Sequence, residues 1–233
     1  MARGPTVSPA GTCAGSRATA HGEPPGKKAV IERLTGNNTV ALLQETHWDG
    51  EAEAFWTSWL FAHTDIVSSP ARDGPLGGLQ GGVAILCPHP AKIIAHRIIV
   101  PGCIIEATID RGDGRPPEAY ISTYIPPGCL TEVLDTLDRT DPPGCGKVMG
   151  GDLNFDTDGP RDPEEDKAAT LLHATLERWG MALIDNVHPT HRDCHGARKI
   201  DFLATDRNQA PLWRIQLKWH PALSDHALIL GRS

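Results

Sequence analysis

Compact apolar runs, each closed by a charge, a proline or a glycine, set the pattern of the chain from Lys27 onward. Residues 40–43 form the first, an unbroken run that predicts a strand buried on both faces and ending at Gln44-Glu45. Similar runs predict strands over 83–87, 93–100, 103–109, 119–125, 147–149, 181–184, 200–205, 213–218 and 227–230, divided by Pro and Gly turns. Helical spacing predicts helices over 28–34, 51–62 and 131–137, the second carrying Phe55, Trp59 and Leu60 with Trp56 beside them. Asp162-Pro163-Glu164-Glu165 is a helix start, with a capping carboxylate, proline at the first helical position and acids in the first turn. That helix is expected to stop at Trp179-Gly180. Strands in pairs with occasional helices imply two packed sheets covered outside by helices.

Polar residues gather where these strands end. Glu45 follows the first run, Asp152 and Asn154 follow Val148-Met149, Asp201 abuts Phe202-Leu203, and Asp225-His226 precede the last run. Any one of them can simply be a strand end meeting water. Together they are a carboxylate-rich group, and acids brought together raise one another's pKa unless a cation compensates. Oxygen and amide donors without thiolates suit a hard ion such as Mg²⁺ or Mn²⁺.

Composition narrows the reading only a little. With 233 residues the chain can hold one large domain and hardly two. The first 22 residues contain no Asp or Glu and are rich in small residues, so residues 1–26 are expected to be a disordered or degenerate lead-in to a domain over 27–233. The net charge of −7 weighs against a nucleic-acid partner. However, residues 190–220 carry six basic residues against three Asp, which leaves room for a local basic surface. Six scattered Cys without a CxxC read as reduced thiols, and no apolar run reaches membrane-spanning length; a nuclear or cytoplasmic protein, monomeric and without membrane contact, is expected.

The ordered segments Leu42-Leu43-Gln44-Glu45-Thr46-His47, Gly150-Gly151-Asp152-Leu153-Asn154, Ile200-Asp201-Phe202-Leu203 and Ser224-Asp225-His226 resemble those of the endonuclease–exonuclease–phosphatase superfamily. Their wording is most similar to endonucleases of non-LTR retrotransposons, whose relatives include apurinic/apyrimidinic endonucleases. The resemblance implies an α/β fold, a four-layered αββα sandwich of two mixed sheets, performing Mg²⁺- or Mn²⁺-dependent phosphodiester hydrolysis on DNA. RNA or small phosphate esters are the rival substrates. It further implies that Glu45 and Asp225 hold the metal and that Asp152 orients or deprotonates water. Asn154 would donate to a phosphate oxygen, on Asp152's side if the chain runs extended. His226 would contact the phosphate with Asp201 behind it, and Tyr124 would support the phosphate.

One departure stands out. The family's first strand ends in an Asn about thirty residues before the Glu, whereas this chain has no Asn before Asn37. The first strand is therefore expected to be missing or unrecognisable. A catalytically impaired remnant that only binds nucleic acid or protein is the alternative.

Three further features are read as structural. The cluster His188, His191, Cys194 and His195 fits no standard zinc spacing and reads as a polar loop. The glycines from Gly74 to Gly82 lack a phosphate-loop pattern and read as a flexible turn, and the acids from Asp156 to Asp166 lack a calcium-loop pattern.

Overall fold

The computed structural model describes residues 6–7, 29, 31–32, 34–35, 39–60, 62–74, 77–186, 188–194, 196–219 and 224–232. The first half contains strands β1 (Thr6–Val7), β2 (Ala41–Gln44), β3 (Thr64–Ser69), β4 (Arg72–Asp73), β5 (Leu79–Gln80), β6 (Val83–Pro88), β7 (Lys92–Val100) and β8 (Ile104–Asp110). The second half adds β9 (Glu118–Tyr124), β10 (Gly146–Asp152), β11 (Met181–Leu183), β12 (His191–Asp193), β13 (Gly196–Arg198), β14 (Asp201–Asp206), β15 (Arg214–Trp219) and β16 (Ala227–Arg232). Helices α1 (Gly50–Leu60), α2 (Leu130–Asp138) and α3 (Pro163–Arg178) lie between them, and the described residues from Ala29 to Thr35 are helical as well.

Two six-stranded mixed sheets form the centre, in the orders β15-β16-β1-β2-β6-β3 and β11-β14-β10-β9-β8-β7. Each has one parallel pair at its middle, β1 with β2 and β9 with β10, and antiparallel neighbours elsewhere. Alternation along the strands makes three apolar layers. Leu42, Val83 and Ile85 meet Ile105, Tyr120, Val148 and Leu203 between the sheets. Ala41, Leu43, Ala84 and Leu86 turn outward against Ile31, Leu34, Trp56 and Leu60. On the opposite outer face Ile121, Met149, Phe202 and Ala204 pack on Leu134, Leu137, Leu172 and Leu176. The result is the four-layered αββα sandwich, and all three apolar layers are filled.

Several local expectations change. Helix α1 buries Ala52, Trp56 and Leu60 and leaves Phe55 exposed, because the sheet meets the Trp56 face. Strand β3 was not legible: Thr64-Asp65-Ile66-Val67-Ser68-Ser69 is an edge strand with mostly half-buried positions, too polar to stand out. Among the described residues the first strand comprises Thr6 and Val7, which pair in parallel with Ala41 and Leu42 and antiparallel with Leu230 and Ile229. Two residues of the segment set outside the domain thus take part in the sheet. Backbone pairing alone places them, and composition does not announce it. The cap on α3 is as read, with Asp162 Oδ1 accepting from the backbone N–H of Glu164 and Glu165 at 2.9 Å each.

Candidate active site at the strand ends

Strand direction brings the polar ends together. Parallel β9 and β10 finish side by side, with Tyr124 opposite Asp152 in register. Strand β14 runs antiparallel to β10, so its first residue, Asp201, pairs with Asp152. In the other sheet β2 ends at Gln44, and Glu45 follows at once. Gln44 Nε2 donates to Ser122 Oγ at 3.0 Å, and Ser122 Oγ donates to the Leu43 carbonyl at 3.0 Å, which ties the two sheets beneath the site.

Asp152, Asp201 and His226 are almost fully enclosed, at 2%, 4% and 4% exposure. His226 Nδ1 donates to both Asp201 carboxylate oxygens at 3.0 Å, which fixes the ring and puts Nε2 on the side away from Asp201. Burial alone would push this imidazole down, but the hydrogen bond and charge of Asp201, with the charges of Asp152 and Asp225, raise it to about 9. It is therefore a cation at neutral pH. Burial, then the charge of Asp201, pushes the Asp152 carboxyl well above the ordinary range, while His226 and the Asn154 backbone N–H pull the other way. Tyr124 donates its hydroxyl to Glu45 Oε1, and its pKa is raised by burial and then by the Glu45 charge. Glu45 also raises Asp152 electrostatically, so the two sheets contribute to one connected cluster.

Backbone strain marks the same places. Glu45 and Asn154 both sit in the left-handed region, at φ 46 and 57, a cost that surrounding structure must offset. Beyond Glu45, Thr46 and His47 donate their N–H groups to the carbonyls of Gly82 and Gly81 at 3.1 Å each. Those glycines have positive φ, and a Cβ on Gly82 would stand 2.5 Å from Thr46 Oγ1. The glycines read as a flexible turn therefore hold the Glu45 loop. The extended course expected from Asp152 to Asn154 does not occur, because Asp152 Oδ1 captures the Asn154 N–H at 2.8 Å and ends the strand. The Asn154 amide donates to the Ile125 carbonyl at 3.0 Å and reaches Asp152 Oδ2 at 3.4 Å. Asn154 thus braces Asp152 through its backbone N–H and its side-chain amide.

Two residues were missed. Thr190, fully buried, accepts the N–H groups of Ile200 and Asp201 on Oγ1 at 3.2 and 2.9 Å, and its carbonyl accepts the Ala227 N–H at 2.6 Å. It fastens the β14 start to the β16 start. His191, assigned to a polar loop, bridges to His226 across two strands; its Nε2 lies 3.3 Å from Asp225 Oδ2. A lone Thr-His pair ten residues before Asp201 gave no signal without knowledge of that bridge. The local basic surface is also smaller than its sequence suggested, since Arg198 pairs with Glu165 and Lys199 with Asp158.

A model described as the endonuclease/exonuclease/phosphatase family matches residues 13–226, which spans every site residue above. The chain belongs to that family. Solved structures agree on the fold. The endonuclease domain of TRAS1, a telomere-specific non-LTR retrotransposon, is 18% identical over 88% of this chain and 90% of that one, with a TM-score of 0.64. The apurinic/apyrimidinic endonuclease LMAP of Leishmania major is 13% identical over 88% and 82%, with a TM-score of 0.61. The human Nocturnin catalytic domain is 14% identical over 98% and 94%, with a TM-score of 0.62. No curated protein matches in sequence. Family membership makes the chain kin to hydrolases with nuclease and phosphatase members. Among the described residues, no helix is long and apolar enough to cross a membrane.

Proposed function

We propose that the protein is a Mg²⁺- or Mn²⁺-dependent phosphodiesterase, a DNA endonuclease of the retroelement type. The observation that carries this reading is the buried Asp152–Asp201–His226 group, with Tyr124 beside it on β9 and Glu45 reaching it from the other sheet. The donor set fits a hard dication: the cluster holds four carboxylates against one imidazolium, and the charge of Asp201 adds to burial in raising Asp152. Glu45 and Asp225 are the residues that would hold the ion, which when bound would neutralise charge on the phosphate and the leaving oxygen.

The chain's own groups do the rest. His226, cationic at Nε2 and locked by Asp201, binds a phosphate oxygen and strengthens that contact as charge develops. Asp152, with a raised pKa, accepts a proton from the attacking water, and Asn154 keeps its carboxylate aimed. Tyr124 fixes the Glu45 carboxylate. Direct attack by the oriented water needs no covalent intermediate. DNA is the proposed partner, on the likeness to the two DNA-acting endonuclease folds.

A reduced enzyme is the second reading, favoured by a β1 of two residues and the absence of any Asn before Asn37. Plasmid nicking separates the two. With Mg²⁺ or Mn²⁺ the parent nicks, while Asp152→Ala and His226→Ala each lose about 10²–10⁴-fold. A folded parent that binds DNA in low salt but leaves DNA, RNA and a generic phosphodiester intact supports the remnant.

A further inference from the structure

We propose that His191, Asp225 and His226 form a second metal site, which takes a transition-metal dication such as Zn²⁺ and, when filled, blocks hydrolysis. The blocking half of this proposal rests on the hydrolytic reading above; the binding half does not.

His191 and His226 face each other across an isolated antiparallel bridge, with ring centroids 4.6 Å apart at 63°. Residues directly opposite on neighbouring strands project side by side, so the bridge itself sets two imidazoles next to one another. Asp225 adds a carboxylate oxygen, and one donor atom from each of the three lies within 4.8 Å of the other two. The separation of 3.3 Å between His191 Nε2 and Asp225 Oδ2 is long for a hydrogen bond to an ionised carboxylate, ordinarily about 2.7–2.9 Å. It suits the edge of a tetrahedral zinc site, which for bonds of about 2.0–2.1 Å is about 3.4 Å.

The surroundings support a ligand role. Asp201 takes Nδ1 of His226 and leaves Nε2 as the coordinating atom, the carboxylate–histidine arrangement that orients metal ligands. Backbone bonds from Arg192 N–H to the Asp225 carbonyl at 2.9 Å and from Ala227 N–H to the Thr190 carbonyl at 2.6 Å hold the three residues on paired strands. Among the described residues the buried Nδ1 of His191 has no hydrogen-bond partner, and Nε2 makes the contact with Asp225. Two imidazoles and one carboxylate favour zinc or cobalt, whereas magnesium prefers oxygen donors throughout. His191 stands 34 residues before Asp225 and its neighbour His226, which is why the 188–195 cluster read alone matched no zinc spacing. Cys194, part of that cluster, is exposed and outside the trio.

Asp225 and His226 belong to both sites. Filling the second displaces the Nε2 proton of His226 to solvent as the metal–nitrogen bond forms, and so withdraws that nitrogen from the phosphate and Asp225 from the hard cation.

Co²⁺ titration of the full chain, followed by visible absorption and then displaced by Zn²⁺, tests the binding. The parent is expected to give the intense bands of a four- or five-coordinate ion. His191→Phe, which keeps a ring against His226, weakens Co²⁺ binding by about 10–100-fold. Glu45→Gln keeps the spectrum. Equal binding by His191→Phe and parent, or loss of the bands in Glu45→Gln instead, overturns the site. The blocking half is read as Zn²⁺ inhibition relative to each protein's own Mg²⁺ rate; inhibition that persists undiminished in His191→Phe overturns it. A parent inert toward phosphodiesters would sink the hydrolytic reading and with it the blocking half, while the Co²⁺ spectrum would still decide the site.

Discussion

The two sheets build their halves of the site by different means. In one, β9 and β10 share seven register pairs and carry Tyr124 and Asp152 at their ends, with Asp201 pinned alongside. In the other, the parallel pair β1 and β2 shares two register pairs, and Glu45 stands beyond the strand in a left-handed turn held by Gly81 and Gly82. The half proposed to handle protons is thus a product of long strands and a filled core. The half proposed to hold the cation is a product of a strained turn. The cluster is held chiefly from the opposite sheet, where Asp152, Asp201 and Tyr124 stand on paired strands.

That contrast can be broken from either side. The largest effect is expected behind the strand-built half, where Leu134 is fully buried against β9 and β10. Leu134→Ala should cost about 2–5 kcal/mol in denaturant unfolding while leaving the cleavage rate per folded molecule nearly unchanged. A large rate loss at modest destabilisation would show that this half is not rigid. Gly82→Ala should cost less, about 1–3 kcal/mol, since it strains a positive φ and presses on Thr46. Its signature lies elsewhere: the Mn²⁺ concentration for half-maximal cleavage should rise several-fold, because Glu45 moves. Unchanged Mn²⁺ dependence would remove the turn from the account.

Much of this was legible in the sequence, for a physical reason. A strand buried on both faces, such as 40–43, announces itself by an unbroken apolar run, and the polar residues that end it, Gln44 and Glu45, are visible too. Glu45, Asp152, Asp201 and His226 were accessible for that reason. Features that depend on backbone pairing or on a partner distant in sequence were not. Thr6-Val7 carries no pattern, the bend at Asn154 comes from a side chain capturing its own neighbour's N–H, and His191 gains meaning only opposite His226.

A smaller effect concerns pH. The His226 pKa is raised from 6.5 to about 9, so its contribution to stability is complete below 6.5 and lost as pH rises through about 9. Asp152, also raised, acts in the same direction. Thermal unfolding in metal-free buffer should therefore weaken between about pH 6.5 and pH 9, and Asp201→Asn should flatten the slope. A melting temperature that climbs across that window would contradict the charged His226–Asp201 pair.

The most direct test is a double-mutant cycle across the two sheets. Cleavage rates of the parent, Glu45→Gln, Asp152→Asn and the combined variant are compared under one Mn²⁺ concentration. Groups acting on one reacting phosphate should be strongly non-additive, with the combined variant within about tenfold of the worse single variant. Losses that multiply would mean that the two strand ends work independently and that no shared site exists.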